Sequence, residues 1–175
     1  QLIGVDPGLR DTGIVECLFY NEDPSYDTYL EKGEQLVLSH ATADDIWGEL
    51  LFLIAERAEK TEWRTVIYVE KYLDRGTSFG THGRMRELET QLRLLAQKSP
   101  ILQKAGSLSL VNNTGVKKII TNKVLTALQL DTFTTASNHQ DLKSAARIAL
   151  YGAAKDKELN PFIYKALCSA QGVAF

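Results

Sequence analysis

The chain has 175 residues, 44% of them apolar, enough for one ordinary globular core spanning residues 1–175. No apolar run approaches the roughly 20 residues that span a bilayer and no leader is visible, so neither a membrane protein nor an exported one is expected. The net charge is −2, and the two cysteines, Cys17 and Cys168, stand far apart in apolar contexts, which excludes a disulfide scaffold and suits a reducing, cytoplasmic-type compartment.

Gln1 to Val15 reads QLIGVDPGLRDTGIV. A short apolar run delivers Asp6 and breaks at Pro7-Gly8, which places that carboxylate at a strand end. A second apolar-rich run, Thr12 to Tyr20, follows closely and predicts a β-hairpin. A strand-end carboxylate beside a glycine turn either holds a divalent metal, lies below a phosphate bound by the turn's N–H groups, or fixes its own turn. Asn21 to Gly33 is polar and reads as a loop, either free-standing or within a longer hairpin, and Gln35 to Ser39 as a third strand. Thr42 and Asp45 open a helix over 43–60, in which Ile46, Leu50, Leu53, Ile54 and Ala58 form one apolar face. Thr65 to Val69 is a continuous β-branched and aromatic run, the mark of a strand buried on both faces, and it ends in a second carboxylate, Glu70. In open α/β sheets sites gather beyond the carboxyl ends of strands, so Asp6 and Glu70 are expected to meet.

Charge is sorted along the chain. Glu16 to Lys60 holds 11 acidic and 3 basic residues, whereas Lys71 to Lys123 holds 10 basic and 3 acidic. Such sorting fits one cationic face and a polyanionic partner, and equally a solvated helix surface. Asp74 to Gly83 reads as a glycine-rich loop. Lys71, Arg75, His82, Arg84 and Arg86, with Tyr72 and Phe79 among them, combine phosphate-neutralising cations with aromatics able to stack on bases. Arg10, in the opening turn, joins this candidate DNA-binding set. Arg84 to Gln97 reads as a helix with Met85, Leu88, Leu92 and Leu95 on a narrow seam, suited either to a partner helix or to its own sheet.

Ser107 to Val111 is a short strand, and Asn112-Asn113-Thr114-Gly115 a turn. Val116 to Leu130 reads as one helix with Lys117 and Lys118 in its first turn, where cations oppose the macrodipole and an anion would favour them. Ser137 and Gln140 fit a capping box. The helix it opens carries a face of small residues (Leu142, Ala145, Ala146, Ala149, Ala153), with Asp141 and Ser144 three apart beside it. Asn160-Pro161 starts a last short helix, to about Ala170. Three antiparallel-type strands, a helix and a buried strand make an α/β arrangement.

IGVDPGLRDTG, VIYVEKYL and DLKSAARIAL resemble the three motifs of the RuvC family of Holliday-junction resolvases, over about residues 1–154. The resemblance implies a ribonuclease H-like fold: a mixed five-stranded sheet, three antiparallel strands then parallel ones, flanked by helices. It makes Asp6, Glu70 and Asp141 catalytic acids, either Lys117 or Lys118 a functional lysine, and the helix Arg84–Gln97 a homodimer interface. It also implies that the segment after Glu70 meets a junction centre, with Phe79, Tyr72 or Leu73 as an apolar wedge. The family's D-x-x-D falls on Asp141 and Ser144, so the second acid is replaced; a shifted alignment makes Asp141 the last acid, with His139 or Asn138 upstream. Oxygen ligands without a Cys or His set point to Mg²⁺ or Mn²⁺, two per site. The implied activity is metal-dependent resolution of four-way DNA junctions. A broader flap or ribonuclease H-type nuclease, and a junction-binding module with a decayed site, are the alternatives. A divergent or bacteriophage member would fit.

Overall fold

The computed structural model describes residues 1–20, 29–58, 64–72, 79–132, 139–159, 163–165 and 167–168. Five strands form one sheet in the order β3-β2-β1-β4-β5, namely β1 (Leu2–Asp6), β2 (Asp11–Tyr20), β3 (Tyr29–Ser39), β4 (Thr65–Glu70) and β5 (Gly106–Val111). β1, β2 and β3 pair antiparallel, and β1, β4 and β5 pair parallel. This is the mixed ribonuclease H-like sheet expected. Six helices are present among the described residues up to 159: α1 (Ala43–Ala58), α2 (Phe79–Lys98), α3 (Pro100–Ala105), α4 (Val116–Ile119), α5 (Asn122–Ala127) and α6 (His139–Lys155).

The alternation of side chains along β4 explains the two cores. Val66 and Tyr68 face one way, into a core with α4, α5 and α6, while Ile67 and Val69 face α1, α2 and α3. Both faces are covered, so the run between Thr65 and Val69 is apolar throughout. Thr42 opens α1 as read: its hydroxyl accepts from Asp45 N (3.2 Å), and Asp45 Oδ2 accepts from Thr42 N (2.8 Å).

Several boundaries differ from the sequence reading. β3 begins at Tyr29, so Tyr29 to Gly33 belongs to a strand and not to a loop. A side chain on Gly33 would collide with the Glu16 carboxylate, which is why a glycine interrupts the strand pattern there. α2 begins at Phe79 and not at Arg84, absorbing Gly80 and Gly83 in its first turns. The single helix expected over 116–130 is two, because Thr121 caps α5 through its hydroxyl and Val124 N (3.3 Å). α3 was not anticipated; Ser99 caps it and Pro100 opens it. Residues 163–165 and 167–168 are helical within the expected last helix.

The seam of α2 turns inward. Met85, Leu88 and Leu92 are buried in this chain's own core, the last two against the α1 side. A homodimer through α2 therefore has only the helix's outer face to use, where Leu94 is 47% exposed.

Two glycines fix the approach of α6. A side chain on Gly4 of β1 would overlap the Ala145 carbonyl, and one on Gly13 of β2 the Asp141 carbonyl. With Ala145, Ala146 and Ala149 fully buried opposite, α6 lies directly on β2 and on β1, the strand that carries Asp6. Gly4→Ala is expected to destabilise the protein by ~1–3 kcal/mol through overpacking and to displace α6. Denaturant unfolding measures the first, and an unchanged midpoint would show that the helix gives way freely.

Candidate functional site

Register brings the first two acids together. β1 and β4 pair in parallel through Val5 opposite Val69, so the next residues, Asp6 and Glu70, leave the sheet side by side at its carboxyl edge. Glu70 lies opposite Val111 of β5, and the turn that follows β5 returns Asn113, whose Nδ2 donates to Glu70 Oε1. Across the sheet, α6 presents Ser144. Below Asp6, Thr12 braces the Pro7-Gly8 turn: its Oγ1 accepts from Gly8 N and donates to Gly8 O, both at 3.3 Å.

These groups line a cleft of about 520 Å³. Asp6 and Glu70 form one wall, Asn113 to Lys118 the second, and Ser144, Arg147 and Ile148 of α6 the third. Among the described residues neither Asp6 nor Glu70 makes a salt bridge. Burial, the Glu70 carboxylate beside it and then Asp141 push the Asp6 carboxyl up to about 8, while the Ser144 hydroxyl pulls it down. Two carboxylates that repel and lack a cationic partner are the setting a hard cation relieves. The remaining donors, the amide of Asn113 and the hydroxyl of Ser144, are also oxygen-bearing. The residues present thus fit Mg²⁺ or Mn²⁺ and do not fit zinc.

Asp141 sits one helical turn before Ser144, close enough to act on Asp6 electrostatically but outside the cleft wall. Its own carboxyl is raised by burial and by Asp11, and lowered by Arg10. Asp11 in turn accepts from Ser39 Oγ (2.7 Å) and pairs with Arg10 Nε (3.1 Å). Among the described residues no three His, Cys, Asp or Glu side chains form a ready-made metal-holding group. Asp6 and Glu70 are the inner pair, and Asp141 flanks them.

The cationic and aromatic residues scatter more widely. Lys117 and Lys118 are exposed on the cleft, placed there by Gly115, whose φ of +83° only glycine adopts at ease. Lys71 is exposed just beyond Glu70, Arg10 is 86% exposed, and Arg84 and Arg86 are exposed near the start of α2. Arg84 borders a separate hollow with Leu9 and His40. Tyr72 is half-buried: its hydroxyl meets His82 Nδ1 at 2.6 Å, the two rings stand edge to face at 5.6 Å, and its N–H donates to Glu89. Leu73, Arg75 and Asn138 lie outside the described residues, as do the side chains of Phe79 and His139.

Sequence reasoning missed two cleft residues. Asn113 was read only as part of a turn, and its role depends on the β4–β5 register. Arg147 was passed over inside an alanine-rich helix, although a lone arginine three residues after Ser144 was the available signal.

No protein-family model and no curated protein matches this sequence. Solved structures do. The structure of T. thermophilus RuvC in complex with Holliday junction substrate superposes with a TM-score of 0.52 at 14% identity, covering 98% of this chain and 96% of that one. Thermus thermophilus RuvC superposes with the same TM-score and coverage at 13% identity. The chain has the RuvC-like fold across its length.

Proposed function

We propose that this protein is a divalent-metal-dependent endonuclease that resolves four-way DNA junctions. The observation that carries the reading is the Asp6–Glu70 pair, delivered side by side to a cleft whose opposite walls are cationic. The likeness in fold to a protein solved with a Holliday junction supports the substrate class.

Asp6 and Glu70 would hold the cation, with Asp141, Ser144 and His139 as the flanking donors of a second site. When bound, Mg²⁺ or Mn²⁺ supplies an activated water and stabilises the leaving 3′ oxygen of a phosphodiester. Asn113 holds Glu70 by Oε1, and Glu70 in turn shares a side-chain hydrogen bond with Asp6. Ser144 orients Asp6. Lys117 and Lys118 would neutralise the backbone that enters the cleft, and Lys71, Arg10, Arg84 and Arg86 the arms beyond it. Tyr72 and His82, with Arg75 and Phe79, would lie toward the junction centre.

A cleavage panel tests the substrate class. Four-way junctions, flaps, Y-forks and RNA–DNA hybrids are incubated in equal amount under single-turnover conditions. The reading predicts that junctions are cut fastest, in paired symmetric nicks; flaps or hybrids cut at least as fast would move the assignment to a broader nuclease of the same fold. Paired nicks need two sites, which a twofold dimer provides. Leu94→Asp is expected to shift sedimentation toward the monomer and to leave single nicks in place of paired ones. An unchanged dimer would place the interface away from this face of α2.

A further inference from the structure

Arg147 is an arginine in the wrong place for a surface residue. It is 7% exposed, in the middle of the helix that lies on the sheet, and it lines the same cleft as Asp6 and Glu70. Its Nε donates to the Ile120 carbonyl at 3.1 Å and its Nη2 to Asn122 Oδ1. Both acceptors are neutral, and both come from the break between α4 and α5. Among the described residues no carboxylate reaches it. Burial alone lowers its pKa, with no opposing charge to offset the desolvation. A guanidinium has five N–H groups, and these two bonds use two. No buried side-chain nitrogen or oxygen lacks a partner among the described residues, so Nη1, which makes no bond, is not fully buried, and Arg147 is one of the residues that line the cleft.

A buried charge without a counter-charge is expensive to maintain, and a bound anion would offset that cost. Clamping by Ile120 and Asn122 fixes the fork before any ligand arrives, which cuts the ordering cost of binding. The planar fork matches two oxygens of a phosphate better than a lysine does. Asp6 and Glu70 do not quench it, so the cleft keeps a negative wall and a fixed positive one apart.

We infer that Arg147 is a preorganised phosphate-binding residue that holds one backbone phosphodiester of the bound nucleic acid beside the Asp6–Glu70 pair. The inference rests on the nuclease reading for its ligand, but its test does not need cleavage. Affinity for a four-way junction is measured in EDTA as a function of salt, for the wild type, Arg147→Gln and Arg147→Lys, alongside thermal melting of each. One lost phosphate contact is expected to reduce the slope of log K against log salt by about 1 in Arg147→Gln. Arg147→Lys keeps the charge, so it should keep the slope while binding more weakly. An Arg147→Gln protein that melts lower but keeps the full slope would overturn the inference and leave Arg147 as a clamp on the α4–α5 break. Should Arg147→Gln not fold, a scan with neutral methylphosphonates decides. Wild-type affinity should drop at one position and that of Arg147→Lys less at the same position, whereas equal drops everywhere would overturn the inference. A protein that cuts nothing but shows the slope change would refute the nuclease reading and keep this one.

Discussion

Asp6→Asn is expected to lower metal-dependent junction cleavage by about 10³-fold or more, at the upper end of what a single electrostatic group supplies, while leaving junction binding in EDTA within a few-fold. The amide keeps the shape of the acid and its partner Ser144, but it cannot carry the charge that a cation requires. Because burial and Glu70 push the Asp6 carboxyl up to about 8, it already bears a proton near neutrality when no cation is present, and the neutral amide is a close copy of that state. The stability effect has a definite sign. A carboxyl whose folded pKa is raised binds more protons folded than unfolded, so it costs stability increasingly as pH rises from its ordinary value, 3.8, toward 8. Asp6→Asn removes that cost and should melt at the same temperature or higher than the wild type in cation-free buffer, most visibly at high pH. A variant that melts lower and still cuts would show that Asp6 only fixes its turn.

The second large effect is on folding. Glu16 is fully buried in β2 and receives Arg57 Nε and Nη2 at 3.0 Å each, the Gln1 side-chain amide at 2.6 Å and the Glu34 backbone N–H at 3.0 Å. Burial raises its pKa, but these donors outweigh it and the net shift is downward. Arg57→Ala removes the cation paired with the buried Glu16 carboxylate, leaving it only the Gln1 amide and the Glu34 N–H, and should cost about 3–5 kcal/mol at neutral pH. In the wild type the pair's contribution is present above the ordinary glutamate value of 4.5 and is lost as pH falls through the lower folded one. In the variant the lost Arg57 bonds and charge let the Glu16 pKa rise relative to the wild type, so the difference between the two proteins should shrink as pH falls from neutrality into the carboxylate range. Chemical denaturation across that range measures it; a difference constant with pH would mean that Arg57 contributes packing and no charge.

What the sequence made legible, and what it hid, follows from the range over which each feature is specified. Asp6 and Glu70 could be read because each strand is a local apolar run with its own stop, and because parallel strands collect their ends on one edge. The small-residue face of α6 was visible in its spacing, though not the reason for it, which is that Gly4 and Gly13 leave no room for side chains. The α4–α5 break was written in Thr121 and was masked by Val116, Ile120 and Val124, which are buried at one helical spacing across both helices. The early start of α2 was hidden by glycines, which weigh against a helix locally and are overridden by the packing of Met85 and Leu88. Asn113 and Arg147 were not legible as cleft residues, because their places depend on strand register and on a helix break far along the chain.

The most direct measurement is incubation of the protein with an end-labelled four-way junction and its matched linear duplex in Mg²⁺, Mn²⁺ or EDTA, with Asp6→Asn in parallel. The account predicts paired nicks in the junction, absent from the duplex, from EDTA and from the variant. Tight junction binding with no cutting in either metal would contradict it, and would make this cleft a binding site for branched DNA with no catalytic function.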